Sequence, residues 1–185
     1  RAFPAGTAMI MPYYGIPKGQ TSEDVGFAFN KDIITGLLRD SLGFDGVVCT
    51  DWAIVTDMFI KEAAAWGVEH LSEKERVKKI FDAGCDMIGG DSRTDLVLEL
   101  LNEGGLTESR IDESVRRILR AKFTLGIFDN PYLDENQLSV FQNRTFKEKG
   151  KEAQRKSMVL LKNENDLLPL NKGIKVYSLG IDKKI

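Results

Sequence analysis

The sequence predicts an α/β fold in which parallel strands alternate with helices. Three short apolar runs, at residues 8–11, 47–50 and 85–88, have the length and composition of buried strands. A segment with helical spacing follows each run, and this alternation implies parallel strands joined by right-handed crossovers. Three buried strands alone would leave apolar edges unpaired, so we expect the chain to be part of a larger barrel.

The composition is that of a globular protein. The 185 residues are 42% hydrophobic and 29% charged, with a formal net charge of -2. The absence of a basic stripe argues against nucleic acid as a partner. No apolar run approaches the ~18 residues of a membrane span, which argues against a membrane partner. Cys49 and Cys85 are expected to be buried free thiols, and the single His70 argues against a Cys/His metal site.

The first two predicted units have clear helix boundaries. Residues 8–11 form a buried strand that leads into a loop, and Asn30 is expected to cap the helix that follows. Gly43 is the expected C-terminal stop of that helix, and the central strand, residues 47–50, comes next. The apolar positions of this helix are Ile33, Ile34, Leu37, Leu38 and Leu42.

The third unit begins after a less regular stretch. Residues 57–66 are helix-like, and Ser72 and Glu75 predict a capping box for the next helix. Gly84 closes that helix, whose apolar face carries Val77, Ile80 and Phe81. The strand at 85–88 then leads to Gly89, Gly90 and Asp91.

Two more helices are predicted before the composition changes. One spans residues 95–101, and Thr107 caps a longer one that stops at Gly126. The buried stripe expected on the longer helix comprises Ile111, Val115, Ile118, Leu119 and Phe123.

From Asp129 to Asn143 the chain is polar and contains turn-forming residues such as Pro131, which is typical of a linker. A helix at about 146–156 and two strand-like runs, 158–161 and 174–179, follow. The second run is expected to be the first strand of another α/β domain.

The central strand ends in Asp51 and Trp52, where ligands bind in parallel α/β folds. At these residues the sequence resembles glycoside hydrolase family 3, the β-glucosidase-like enzymes. Residues 43–52, GFDGVVCTDW, are similar to the nucleophile signature of that family. Further stretches agree in the same order, namely residues 9–14, 83–87, 111–129, 157–164 and 168–170.

The resemblance implies a (β/α)8 TIM-type barrel followed by an α/β sandwich. Residues 1–128 would be the last three βα units of the barrel, 129–145 the interdomain linker, and 146–185 the incomplete first edge of the sandwich. The chain departs from the family pattern at Tyr13, Gly15 and Ala53. In the family, small residues are usual at position 13, asparagine is frequent at position 15 and glycine is frequent at position 53. These departures bear on sugar selectivity.

The resemblance also implies the reaction, retaining exo-hydrolysis of β-linked oligosaccharides or glycosides without a cofactor. Retaining enzymes use a carboxylate nucleophile and a carboxylic acid about 5–5.5 Å apart. Asp51 is the expected nucleophile, and its alternative role is a structural carboxylate that caps the next helix. In this family the acid/base comes from the second domain or from an earlier barrel loop. This chain only begins the second domain and does not include the earlier loop, so it is expected to lack the acid/base and to be inactive alone.

Three further residues are candidate substrate contacts. Trp52 would line the sugar subsite with its ring face, or else it would pack in the core. Tyr14 would hydrogen-bond near the nucleophile. Asp91 would bind a sugar hydroxyl, or else cap a loop. Glu62, Glu69 and His70 are expected to be solvated.

Glucose, xylose and N-acetylglucosamine all remain open as the sugar. The residues do not give the compartment, and the resemblance favours a periplasmic or secreted location. The resemblance also implies that the remaining barrel and second-domain segments of the same protein are partners of this chain.

Two other functions fit parts of the sequence. A glycine pair before a helix can bind phosphate, although Asp91 would repel an anion and Arg93 is the only basic residue nearby. The chain could also belong to a non-catalytic carbohydrate-binding or assembly subunit built on a glycosidase scaffold.

Overall fold

The computed structural model describes residues 3–56, 63–177 and 179–180. The chain divides into two compact units, Arg1–Tyr132 and Leu133–Ile185. In the first unit, 3-10 turns occupy Phe3–Ala5 and Phe27–Phe29, and a π-type helix occupies Asp32–Ser41. The strands are β1 (Met9–Ile10) and β2 (Val47–Val48), and the α-helices are α1 (Glu73–Ala83), α2 (Thr94–Asn102) and α3 (Glu108–Thr124).

The strands of the first unit are parallel, as predicted. Met9 lies opposite Val47 and Ile10 opposite Val48. The third predicted strand, residues 85–88, is reduced to a single parallel bridge between Cys49 and Met87. The physical reason lies at Val48, whose backbone N–H donates to the Asp86 carboxylate at 2.9 Å and not to a backbone carbonyl of the neighbouring run. A side chain therefore interrupts the ladder.

The predicted caps and stops of the π-type helix and of α1 are confirmed. Asn30 Oδ1 accepts from the backbone N–H of Ile33 at 3.2 Å, and the helix Asp32–Ser41 follows. Ser72 and Glu75 form the capping box of α1. Gly43 and Gly84 take positive φ values of 66° and 110°, which glycine adopts without steric cost. The core that these elements enclose includes Phe29, Ile34, Val48, Val77 and Ile80.

A buried ionic network joins the strands to α3. The Asp86 side chain is 0% exposed and accepts from Arg39 at 2.6 Å, Arg117 at 3.0 Å and Ser114 at 2.9 Å. Arg39 also donates to the carbonyls of Phe44, Gly46 and Gly84. A buried carboxylate needs such partners because removing a charge from water is costly. The network holds α3 against the sheet through polar side chains.

The predicted buried stripe of α3 is confirmed only at its start, where the partly buried Ile111 packs against the core. Val115 is 42% exposed, Leu119 39% and Phe123 65%, and Ser114 is the residue of α3 that is buried. The helix turns its polar side toward the unit because Arg110, Ser114 and Arg117 reach Phe81, Cys85 and Asp86. Beyond Ile111, most of the apolar side of α3 is therefore exposed in this chain.

Strand β1 and the stretch after Trp52 also differ from expectation. Met9 in β1 and Met11 just after it are 50% and 60% exposed, so this run is not fully buried. Strand β1 pairs with β2 along one edge, and its other edge pairs with no strand among the described residues. Residues 63–66 are not helical, and the predicted helix at 57–66 otherwise lies outside the described residues, as does Glu62.

Over its described residues, the second unit contains one long helix. Helix α4 (Arg144–Ser157) matches the predicted helix, and Asn143 caps it through the N–H groups of Thr145 and Phe146. A 3-10 turn, Glu135–Val140, lies within the predicted linker, and another spans Glu164–Asp166. The runs 158–161 and 174–179 form no strand in their described residues, because a strand needs a partner for its backbone groups.

Both cysteines are free thiols. Cys85 is fully buried, as predicted, and burial raises its pKa to about 12. Cys49 is only partly buried. Within the described residues, no helix has both the length and the apolar content needed to cross a bilayer.

Candidate active site

Asp51 lies at the carboxyl end of the central strand run, three residues after the end of β2. Its partly buried side chain accepts from the backbone N–H of Trp52 at 2.7 Å. Thr50, just before it, donates its N–H to the Met87 carbonyl at 3.0 Å, and its hydroxyl accepts from the Gly89 N–H at 2.9 Å. These bonds tie Asp51 to the neighbouring run of the sheet, so its carboxylate is held at the strand end.

Tyr14 comes to Asp51 from a loop after β1. Its hydroxyl donates to the Trp52 carbonyl at 2.6 Å. Burial raises the pKa of Tyr14, and the adjacent Asp51 carboxylate raises it further because a nearby negative charge disfavours the phenolate. The hydroxyl is therefore kept protonated as a donor beside the carboxylate.

Tyr14 and Asp51 line the same narrow cleft. Its other walls are largely aromatic and apolar, and they include Tyr13, Phe27, Phe29 and Ile54. One carboxylate and one phenol in an apolar cleft at a strand end match the general form of a small-molecule site. The structure thus brings together two of the predicted site residues, and Tyr13 lies in the cleft with them.

Trp52 does not pack in the core, because it is 68% exposed. Its indole ring lies against Gly90, where a Cβ atom would come within 2.3 Å of Cδ2. Gly89 is equally close to the strand, since a Cβ there would lie 2.0 Å from the Thr50 carbonyl oxygen. The loop that carries Asp91 is therefore seated directly on the segment that carries Asp51 and Trp52, and Asp91 itself is partly buried.

Ala53 has a left-handed backbone with φ of 55°. Non-glycine residues adopt this region at a cost of about 1–2 kcal/mol, which explains why glycine would suit the position. The Ala53 carbonyl accepts from the Ala64 N–H at 2.6 Å, so the turn after Trp52 is anchored to the segment at 63–65.

The arrangement argues against a phosphate site at the glycine pair. The Gly89 N–H already donates to Thr50. Arg93 is held by the carboxylates of Glu73 and Asp95, which raise its pKa. A basic side chain occupied by two carboxylates is a poor anion ligand. Glu69 and His70 are exposed, as predicted, and Glu69 accepts from the Gly67 N–H.

Within the described residues, no group of three or more His, Cys, Asp or Glu side chains could hold a metal ion.

The model of the Glycosyl hydrolase family 3 N-terminal domain matches residues 3–121, which include both Tyr14 and Asp51. The chain belongs to glycosyl hydrolase family 3. Probable beta-glucosidase C of Aspergillus flavus is 52% identical over 92% of the chain, and Beta-glucosidase C of Emericella nidulans is 48% identical over 98% of it.

A solved relative in the family has the same fold over most of the chain. The beta-glucosidase from Listeria innocua, in complex with gluconolactone, superposes with a TM-score of 0.68 at 28% identity, over 92% of this chain and 22% of that one. The chain spans 28% and 31% of the length of the two fungal relatives. The family-3 N-terminal domain is a TIM-barrel type fold, so the α/β class predicted from the sequence is confirmed.

Two residues beside β2, Asp86 and Arg39, are not predicted from the sequence. The two form a buried ion pair, and the Asp86 carboxylate also accepts from the Val48 N–H. A charged residue inside an otherwise apolar strand-like run was the available signal, because an unpaired charge there would be costly.

Proposed function

We propose that the protein to which this chain belongs is a retaining, exo-acting hydrolase of β-linked glycosides. The observation that carries this proposal is the placement of Asp51, which shares a cleft with Tyr14 at a strand end of a family-3 chain. The relatives named as β-glucosidases support the same reaction class.

In the proposed mechanism Asp51 attacks the anomeric carbon while an acid protonates the departing glycosidic oxygen. The resulting glycosyl–Asp51 ester is then hydrolysed by water, which yields the sugar and restores the carboxylate. The acid/base comes from outside this chain. The Tyr14 hydroxyl lies beside Asp51 with its single proton on the Trp52 carbonyl, and it would turn to donate to the Asp51 carboxylate during both steps.

Trp52 and Asp91 would contact the sugar. The exposed indole of Trp52 offers an apolar face to the C–H groups of a pyranose ring. Asp91 follows Gly90, which packs against Trp52, so its carboxylate would accept from a sugar hydroxyl at the same edge.

We also propose the wider architecture. Residues 1–128 are the last three βα units of the barrel, 129–145 are the linker, and 146–185 begin the sandwich domain. The parallel pairing of β1 and β2 and the outward apolar side of α3 support a chain that packs against further barrel segments. The chain covers only 28% and 31% of the length of the two fungal relatives, which supports the same division.

A 2-deoxy-2-fluoro β-glycoside tests the proposal on the full-length protein, because it slows hydrolysis of the glycosyl–enzyme ester. Peptide mass spectrometry should find the label on Asp51, and the Asp51→Asn variant should take up none. Label on a different carboxylate would refute the assignment. A full-length protein that binds glycosides but neither reacts nor turns them over would instead be a non-catalytic subunit.

The isolated 185-residue chain should not hydrolyse aryl β-glycosides. It supplies the proposed nucleophile but no acid/base, and single catalytic groups act weakly without their partners. The measurement is aryl release by the isolated chain and by its Asp51→Asn variant. Release that exceeds that of the variant would show that the chain carries a complete site.

A further inference from the structure

We propose that Gly90 is a positioning residue that sets the orientation of the Trp52 indole for substrate. This inference rests on the proposed function, since it concerns the sugar contact of Trp52. It starts from a close approach between the Gly90 backbone and the Trp52 indole ring. Any residue with a Cβ atom at position 90 would prevent this approach.

The contact is made by one face of the ring. A Cβ atom on Gly90 would lie 2.3 Å from Trp52 Cδ2, 2.4 Å from Cγ and 2.8 Å from Cδ1. These atoms all belong to the five-membered ring, and a point this near to all three lies above its plane. The backbone of Gly90 therefore covers one face of the indole.

The Trp52 backbone is held as well. Its N–H donates to Asp51 and its carbonyl accepts from the Tyr14 hydroxyl. With its backbone anchored and one ring face on Gly90, the side chain remains 68% exposed. The face away from Gly90 is then presented at a fixed angle, as a stacking platform for a sugar ring must be. Gly90 acts through Trp52 and does not itself need to touch substrate.

Gly104 provides a matched control. It has φ of 74°, close to the 65° of Gly90, but a Cβ there would meet nothing within 4 Å. Gly90→Ala and Gly104→Ala therefore impose a similar backbone penalty, and only the first displaces the indole. Asparagine tolerates positive φ better than alanine, so Gly90→Asn and Gly104→Asn form a second pair if an alanine variant does not fold.

The first measurement is 19F NMR of the full-length protein labelled with 5-fluorotryptophan, with the Trp52 resonance assigned by Trp52→Phe. The resonance should move in the Gly90 variants and stay in place in the Gly104 variants. An unmoved Trp52 resonance in a folded Gly90 variant would overturn the inference. This readout does not depend on activity.

The second measurement is a double-mutant cycle on kcat/KM for an aryl β-glycoside. Gly90→Ala should lower kcat/KM about tenfold when Trp52 is present and less than about twofold in the Trp52→Ala background. Equal losses in the two backgrounds would mean that Gly90 does not act through Trp52. Absence of turnover in the unmodified protein would count against the proposed function, and the NMR result would still decide the coupling.

Discussion

At the scale of single residues, the candidate site depends on contacts between distant parts of the chain. Tyr14 and Trp52 are 38 positions apart, yet the Tyr14 hydroxyl donates to the Trp52 carbonyl. The same hydroxyl is influenced by the charge of Asp51. The loop after β1 thus supplies a donor to the turn after β2, and neither segment would form this site alone.

Tyr14→Phe in the full-length protein should lower kcat about tenfold or more, because it removes the donor beside Asp51. Tyr132→Phe, which removes an exposed hydroxyl, should leave kcat unchanged. The comparison of kcat for an aryl β-glycoside in the three proteins checks this expectation. Equal activity of the Tyr14 variant and the unmodified protein would contradict it.

The pH dependence follows from the raised pKa of Tyr14. Because the pKa lies above the ordinary 10.0, the hydroxyl stays protonated through the range below that value and is lost as a donor only above it. The ratio of kcat between the unmodified protein and Tyr14→Phe should therefore be constant up to about pH 9 and fall at higher pH. A ratio that already falls near neutral pH would contradict this sign.

At the scale of elements, Asp86 decides how the sheet and α3 are joined. Its carboxylate takes the Val48 N–H and two arginines, one from the π-type helix and one from α3. The same side chain limits the third predicted strand, residues 85–88, to a single bridge. It also holds α3 through the ion pair with Arg117. A buried charge of this kind is stable only while all its partners remain.

Asp86→Asn should lower the free energy of unfolding by about 3–5 kcal/mol, since it leaves the Arg39 guanidinium without its carboxylate and leaves Arg117 with Asp45 alone. Asp82→Asn is the control, because Asp82 pairs with Lys78 on the exposed side of α1 and such pairs contribute about 0.3–0.5 kcal/mol. Denaturant unfolding of the full-length protein, followed through its barrel domain, would measure both. Comparable losses for the two variants would show that the network is not stabilising.

At the scale of the whole molecule, the chain exposes apolar surface that its sequence marks for burial. Leu119, Phe123 and Leu125 are exposed on or just after α3, and Phe123 contacts Phe128 with ring centroids 4.6 Å apart. Apolar patches of this kind mark interaction surfaces. They are consistent with the proposed packing of α3 against further segments of the same protein.

Replacing Leu119 and Phe123 by glutamate should have a different effect in each of the two forms of the protein. In the isolated 185-residue chain it should reduce self-association, measured by light scattering. In the full-length protein it should lower Tm, because burying each such side chain contributes about 1.5–3 kcal/mol.

Arg116→Glu, on the exposed side of α3, is the control and should change neither quantity much. An unchanged Tm in the full-length double variant would show that the apolar side of α3 is not covered there.

The sequence by itself determined the α/β class, the boundaries of the capped helices and the strand end at which Asp51 lies. These follow from local information, since apolar runs, capping side chains such as Ser72 and stop glycines such as Gly84 act within a few residues. The tertiary structure alone decided which side of α3 faces inward, the pairing of Asp86 with Arg39 and Arg117, and the seating of Trp52 on Gly90. These depend on which distant groups meet, because a buried charge and an aromatic face are positioned by their partners and not by their neighbours in sequence.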